Sequence, residues 1–504
     1  MNAADYISLI QGATVYDIAI KTPLDRAQKL SHRLGHRVWL KREDLQPVFS
    51  FKLRGAYNKI SQLGPEDLEK GIICSSAGNH AQGVALAAGK VGARAVIVMP
   101  RTTPRIKVEA VKSLGGDVVL TGDSYDDAYQ HAQLLVRHEG LYFVHPFDDP
   151  LVIAGQGTIG MEILEQLQTP STVFIPIGGG GLAAGIALYV KNQSPDTKVI
   201  GVEPTDAASM QAALRAGGPV TLDHVGIFAD GVAVKRVGEE TFRLCQHYLD
   251  EIVTVDTDET CAAIRDVFEE TRSIVEPAGA LAVAGMKKYL ASSQGGPEDV
   301  VAILCGANVN FDRLRHISER ASVGEQQEAL IAVEIPEQRG SFMSFCEAIG
   351  DRNVTEFNYR FNDREKARIF VGLELMDGVD DKNSLIEELR ALEYPVVDLS
   401  NNEMAKLHVR HMVGGSGQGM QNERLHRFEF PERPGTLMKF LQTVGGEWNI
   451  SLFHYRNHGA DYGRVLTGVQ VPDHELQEFH HHLDALGYVY YDESDNPAYQ
   501  MFLA

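Results

Sequence analysis

The sequence predicts an α/β protein in two parts. Residues 1–322 read as parallel sheets covered by helices, and residues 329–403 and 425–504 read as two smaller units, each ordered βαββαβ. Segments 323–328 and 404–424 read as the links. Three observations carry this. Apolar, β-branched runs alternate with helical periods through the first part, as in a sheet buried on both faces. Glycine-rich or small-residue turns directly follow two of these runs. Short motifs in the last third return at a near-constant offset, the mark of an internal repeat.

In order, the apolar run Val38–Leu40 ends in a charged tail, Lys41–Asp44. Gly71–Cys74 is strand-like and leads through Ser75-Ser76-Ala77-Gly78-Asn79-His80 into a small-residue helix, Ala81–Lys90. Further strands are expected at 93–99, 118–121, 142–145, 172–177, 199–203, 252–255 and 300–304, with helices at 106–114, 124–139 and 153–167 between several of them. The polar run Glu319–Glu328 reads as the connection to the second part.

There, Pro336-Glu337-Gln338-Arg339-Gly340-Ser341-Phe342-Met343 returns as Pro431-Glu432-Arg433-Pro434-Gly435-Thr436-Leu437-Met438, 95 residues on. Phe357-Asn358-Tyr359-Arg360 returns as Phe453-His454-Tyr455-Arg456, and Leu392-Glu393-Tyr394 as Leu486-Gly487-Tyr488. Phe342, Phe345, Cys346 and Ile349 recur at helical spacing, as do Leu437, Phe440, Leu441 and Val444. The βαββαβ order is the ferredoxin-like unit, and the pair resembles the ACT-like modules that bind amino acids and regulate biosynthetic enzymes. Gly414–Gly419 reads as a flexible link between the copies. In Phe-Asn-Tyr-Arg, a period of two puts Phe357 and Tyr359 on one face and Asn358 and Arg360 on the other. The aromatics either pack on the helices or line an effector pocket, in which an arginine would grip a carboxylate.

The totals exclude several classes. A chain of 504 residues holds two to four domains. Its formal charge of −21 repels nucleic acid and anionic lipid. No apolar run is long enough to span a membrane, and the start carries no basic-then-apolar leader, so a cytoplasmic protein is expected. Five scattered cysteines read as reduced thiols. No Cys/His cluster has metal spacing, and His480-His481-His482 splays around a helix, so no metal site is expected.

Chemistry concentrates at four places. Lys52, in Ser50-Phe51-Lys52-Leu53-Arg54-Gly55, sits where a helical pattern opens, between two apolar side chains. Such surroundings lower an amine's proton affinity, and a neutral amine attacks carbonyls. The bland alternative is a surface lysine whose stem lies on apolar neighbours. The turn Ser76-Ala77-Gly78-Asn79-His80 offers free N–H groups sized for a carboxylate, or is an ordinary capped turn. Gly178-Gly179-Gly180-Gly181-Leu182 follows the buried run 172–177 and opens a helix, which favours a phosphate. Cys305 ends the run Val300–Leu304, where most cysteines are inert core residues.

Together, in this order and spacing, these pieces resemble the fold-type II pyridoxal-phosphate enzymes of the tryptophan synthase β family, and most closely the biosynthetic threonine dehydratases (threonine ammonia-lyases), nearly end to end. The resemblance implies pyridoxal 5'-phosphate held by Lys52 and backed by Phe51. Asn79 would bond the ring hydroxyl, Gly178, Gly179, Gly180, Gly181 and Leu182 the phosphate, and Cys305 would face the ring nitrogen. Ser76, Ala77, Gly78, Asn79 and His80 would seat the substrate carboxylate. It further implies L-threonine, or L-serine, as substrate, isoleucine and valine as effectors around Tyr359, Arg360, Tyr455 and Arg456, and a homotetramer. Many threonine dehydratases carry serine where this chain has Cys305, which loosens the choice of substrate but not the chemistry.

Serine dehydratase or racemase activity stays open at this point. So does a nicotinamide oxidoreductase, since Gly179-x-Gly181-x-x-Ala184 fits the relaxed dinucleotide fingerprint and Glu203 ends the next strand. An amino-acid sensor built on the repeats is a third reading.

Overall fold

A computed structural model describes residues 1–292, 296–350, 352–360, 365–376, 378–402, 405–406, 409–411, 421–431, 436–456 and 462–496. The chain divides into two units, Met1–Ala321 and Ser322–Ala504.

The first unit holds two sheets. Its strands are β1 (Leu24–Arg26), β2 (Arg37–Arg42), β3 (Ile72–Ser75), β4 (Ala95–Met99), β5 (Asp117–Leu120), β6 (Tyr142–Phe143), β7 (Thr172–Pro176), β8 (Lys198–Pro204), β9 (Glu251–Val255) and β10 (Asp299–Leu304). Six form a sheet in the order β1-β2-β10-β7-β8-β9, parallel except for β1. The other four form a parallel sheet, β5-β4-β3-β6. Strands β4, β7 and β10 carry almost no exposed side chain, as helices on both faces require.

Glycines let the helices of this unit approach closely. A Cβ on Gly155 would lie 2.7 Å from the Cα of Gly55, and one on Gly185 would lie 2.4 Å from the carbonyl oxygen of Ile153. The Lys52–Ile60 helix is thereby pressed on the Pro150–Gln166 helix, and that on the Gly181–Gln193 helix.

The second unit has β11 (Glu328–Pro336), β12 (Val354–Arg360), β13 (Lys366–Glu374), β14 (Val396–Asp398), β15 (Glu423–Pro431), β16 (Asn449–Arg456), β17 (Tyr462–Gln470) and β18 (Val489–Asp492). Helices follow the first and third strand of each copy, giving βαββαβ twice. The copies share one antiparallel sheet, ordered β14-β11-β13-β12-β16-β17-β15-β18. The joint is the repeated aromatic strand itself: Phe357 pairs with Tyr455, and Tyr359 with Phe453. Phe342 stands 4.6 Å from Phe357 and 5.2 Å from Phe453 between ring centroids, so one aromatic core runs across both copies.

One expectation is corrected. The polar run Glu319–Glu328 is not a bare connector: a helix runs Leu314–Gly324, β11 starts at Glu328, and Arg320, Ala321, Val323 and Glu328 are buried. A polar composition hid a packed face. The expected link Gly414–Gly419 lies outside the described residues.

Candidate active site

Lys52 is the first residue of its helix and is half-buried. Its Nζ donates to the carbonyl of Pro146 at 3.1 Å and lies 5.3 Å from the centre of the Phe51 ring. Burial pulls the amine down to about 8, against a smaller opposing pull from Cys305 and Glu276. It is thus far easier to neutralise than an exposed lysine. Two residues on, Arg54 is wholly buried and bonds Glu43 at 2.8 Å and Glu162 at 2.6 Å, while Lys41 holds the second oxygen of Glu162 at 2.6 Å. This closed set of two cations and two carboxylates ties the Lys52 helix to β2 and to the Pro150–Gln166 helix.

Cys305 is brought to Lys52 by main-chain pairing. Phe49, at φ +55°, offers its carbonyl to the N–H of Ala307 at 2.8 Å. Ser50 bridges Gly306, and the Phe51 N–H donates to the Cys305 carbonyl at 3.2 Å. A positive φ on a bulky residue is strained, and here it delivers the lysine strap to the end of β10. The Cys305 thiol is buried, donates to the Ala278 carbonyl at 3.3 Å, and is held protonated by burial first and by Glu276 next.

The turn after β3 leaves Ser76, Ala77, Gly78 and Asn79 half-buried, with no side chain capping the Asn79–Val91 helix. Its first N–H groups remain available. The helix packs hard against the lysine: a Cβ on Gly83 would lie 3.2 Å from the Lys52 carbonyl. His80 is buried, bonds the Val144 carbonyl at 3.0 Å and is kept neutral, its pKa lowered to about 3 by burial. It therefore supports the turn from beneath. Asn79 Nδ2 donates to Glu276 at 2.6 Å, and Asn79 Oδ1 accepts from Asn308 at 2.7 Å.

The tetraglycine turn follows β7 as expected. Gly180 has φ +95°, open to glycine but costly for other residues. A Cβ on Gly179 would meet the Phe147 ring at 2.2 Å, and one on Gly178 would meet Val232 at 2.9 Å. Phe147 follows the carbonyl that holds Lys52, so the turn and the lysine share one wall. The Gly181–Gln193 helix starts with no side-chain cap.

Glu203 spends both carboxylate oxygens on the N–H groups of Met210 and Gln211, at 2.8 and 2.9 Å. It caps the next helix, which removes the residue a dinucleotide site needs for its ribose.

Glu276, Phe147 and Asn308 escaped the sequence reading as site residues. Glu276 precedes Pro277 at a helix start, a pattern that reads as a cap; it carries no local sign that its carboxyl turns inward.

The site fits pyridoxal 5'-phosphate in its donor set: a low-pKa amine, an uncapped helix start behind four glycines, an amide, and a protonated thiol. Ser75 Oγ, buried and without a partner among the described residues, lies at the base of the Ser76–His80 turn. Among the described residues no group of His, Cys, Asp and Glu could hold a metal ion.

In the second unit, Tyr359 and Tyr455 are buried in the shared aromatic core, under the helices. The Tyr359 hydroxyl donates to Glu337 at 2.6 Å. Tyr359 borders a groove whose walls, from both copies, include Ile335, Glu337, Ser341, Phe342, Trp448 and Ile450. The side chains of Arg360 and Arg456 lie outside the described residues.

Residues 15–306 match the family model described as pyridoxal-phosphate dependent enzyme. Residues 319–409 and 414–503 match the C-terminal regulatory domain of threonine dehydratase. The chain is 56% identical to the biosynthetic L-threonine dehydratase of Burkholderia multivorans over 100% of both chains, and 54% identical to that of Pasteurella multocida over 99% of this chain and 98% of the relative. The processed form of threonine deaminase isoform 2 from Solanum lycopersicum superposes with a TM-score of 0.63 at 53% identity, covering 63% of this chain and 93% of its own. With both family models matched and these identities running the length of the chain, the chain belongs to the pyridoxal-phosphate-dependent biosynthetic threonine dehydratase family.

Proposed function

We propose that the protein converts L-threonine to 2-oxobutanoate and ammonia, the first step of isoleucine biosynthesis, and that its second unit makes this step answer to isoleucine as inhibitor, with valine opposing. The observation that carries the catalytic half is the Lys52 amine, lowered to about 8 and walled in by Phe51, Pro146 and the strap to Cys305.

Lys52 would hold the cofactor covalently, Asn79 its ring oxygen, Cys305 its ring nitrogen, and the N–H groups of Gly178–Leu182 its phosphate. Bound there, the cofactor supplies a conjugated ring that draws electrons from the substrate's Cα. The turn Ser76–His80 binds the threonine carboxylate through its N–H groups and fixes the Cα–H bond toward the lysine. Lys52, whose burial makes its proton far easier to lose than an exposed lysine's, would take the α-proton in its neutral form. The β-hydroxyl leaves as water, and a second water later replaces the nitrogen, so threonine yields the keto acid and ammonia with no net water. Cys305, held protonated, would turn its single S–H from the Ala278 carbonyl to the ring nitrogen and add no charge there.

The groove beside Glu337 supports the regulatory half. A carboxylate, an uncapped helix start at Ser341 and apolar walls suit an α-amino acid with a branched side chain. Assembly as a homotetramer and residence in the cytoplasm complete the reading. Five free, buried thiols suit a reducing compartment, and among the described residues no helix is long and apolar enough to cross a membrane.

Keto-acid release from threonine by the purified protein, with and without isoleucine, tests both halves. Steady release that isoleucine suppresses is expected. Binding of isoleucine with no keto acid formed would reduce the protein to a sensor.

A further inference from the structure

The amide of Asn79 sits in a chain of hydrogen bonds whose polarity is fixed at one end. Val48 offers a backbone carbonyl, which only accepts. Asn308 Nδ2 donates to it at 2.8 Å, and the same nitrogen donates to Asn79 Oδ1 at 2.7 Å. Asn308 thus spends both its hydrogens and cannot flip without setting oxygen against oxygen. Asn79 must then face Asn308 with its oxygen and present its NH₂ on the other side, where Nδ2 donates to Glu276 Oε1 at 2.6 Å. One hydrogen of that NH₂ is left for the site.

Glu276 is placed to hold both amide-bearing residues, since its carboxyl also takes a hydrogen bond from the Asn308 main chain. It precedes the Pro277–Ala291 helix, yet its side chain caps no N–H of that helix. It is 4% exposed. Two glycines keep room for it: a Cβ on Gly306 would lie 2.4 Å from Glu276 Oε1 and 3.2 Å from Asn79 Nδ2, and one on Gly231 would lie 3.4 Å from the same oxygen. Burial and Asp230 push its carboxyl up to about 7. In either protonation state it keeps an acceptor oxygen for Asn79.

We propose that Glu276 and Asn308 are positioning residues that lock the Asn79 amide with its N–H toward the cofactor's ring oxygen, so that this oxygen is held as the anion rather than as the hydroxyl. The proposal rests on the cofactor reading above. A flipped amide would present its own oxygen there and favour the hydroxyl form. The balance between the two forms is read directly, since the lysine-bound cofactor absorbs in the visible as one and in the near ultraviolet as the other.

The experiment is the absorption spectrum of the purified holoenzyme, parent against Asn79→Ala, Glu276→Ala, Glu276→Gln and Asn308→Asp, across pH. The near-ultraviolet to visible ratio is expected to rise roughly fivefold in Glu276→Ala and in Asn308→Asp, as the loss of one hydrogen bond implies, and toward the Asn79→Ala value. Glu276→Gln, which keeps the acceptor and loses the charge, is expected to hold the parent ratio. An unchanged ratio in Glu276→Ala beside a raised one in Asn79→Ala overturns the proposal. If Glu276→Ala does not fold, Asn308→Asp decides by the same criterion. If borohydride leaves Lys52 of the parent unmodified by mass, the cofactor reading itself has failed, a result distinct from any change of ratio.

Discussion

The main-chain N–H of Phe51 donates to the carbonyl of Cys305 at 3.2 Å, so the residue before the lysine is bonded to the residue just after β10, 254 positions later. The amine and the thiol therefore keep their spacing through backbone geometry rather than through side-chain packing. Substitutions at either side chain should change chemistry before they change structure.

Lys52→Ala is expected to abolish keto-acid formation while leaving circular dichroism and the unfolding transition near the parent's. Turnover at the parent rate would remove Lys52 from the mechanism.

The amine's lowered pKa also makes a pH prediction for the apoprotein. The folded state releases the proton near 8, the unfolded chain near 10.4. Between these values the unfolded state binds more protons, so this group's cost to stability shrinks as pH rises from 8 toward 10.4, and is full below 8. Lys52→Met apoprotein should be more stable than the parent at pH 7, on the order of 1 kcal/mol, with the gain fading by pH 10 in urea titrations. A gain that grew with pH would contradict the assignment.

Cys305→Ser should retain most activity, because a hydroxyl also keeps its proton and donates one hydrogen bond. Cys305→Asp should lower kcat roughly tenfold or more, since it sets a second buried carboxyl beside Glu276 and changes the charge at the ring nitrogen. Equal kcat in the aspartate variant would show that this charge does not matter.

Arg54→Ala leaves Glu43 buried without its paired guanidinium and Glu162 with Lys41 alone, and should cost about 3–5 kcal/mol in urea unfolding. A loss below about 1 kcal/mol would mean that the buried set is neutralised some other way.

Tyr359→Phe removes the hydrogen bond to Glu337 and nothing from the catalytic unit. The isoleucine concentration for half-inhibition should rise about fivefold or more, with uninhibited kcat unchanged. Unaltered sensitivity would move the effector site away from this groove.

Much of the fold was legible because its signals are local. The run Val300–Leu304 reads as a buried strand from composition alone, and Lys52 from its place before a helical period between apolar neighbours. Gly178–Gly181 was legible because a turn after so apolar a strand needs a reason. Glu276 was not: its neighbours spell a helix start, and only the fold turns its carboxyl toward Asn79. Arg54 was not, because an arginine two positions after a helix start looks solvated until Glu43 and Glu162 arrive from other segments.

The sequence by itself determined the order of strands and helices, the duplicated βαββαβ unit, the place of Lys52 at a helix start and the glycine turn after β7, since each depends on side-chain period or backbone freedom within a few residues. Only the tertiary structure decided that the alternating strands of the first unit split into two sheets, and that Phe357 and Tyr359 pair with Tyr455 and Phe453 to fuse the copies into one. It alone set the polarity of the Val48–Asn308–Asn79–Glu276 chain. Strand partners and buried polar contacts join residues far apart in the chain, and no local pattern encodes which of several compatible partners will be met.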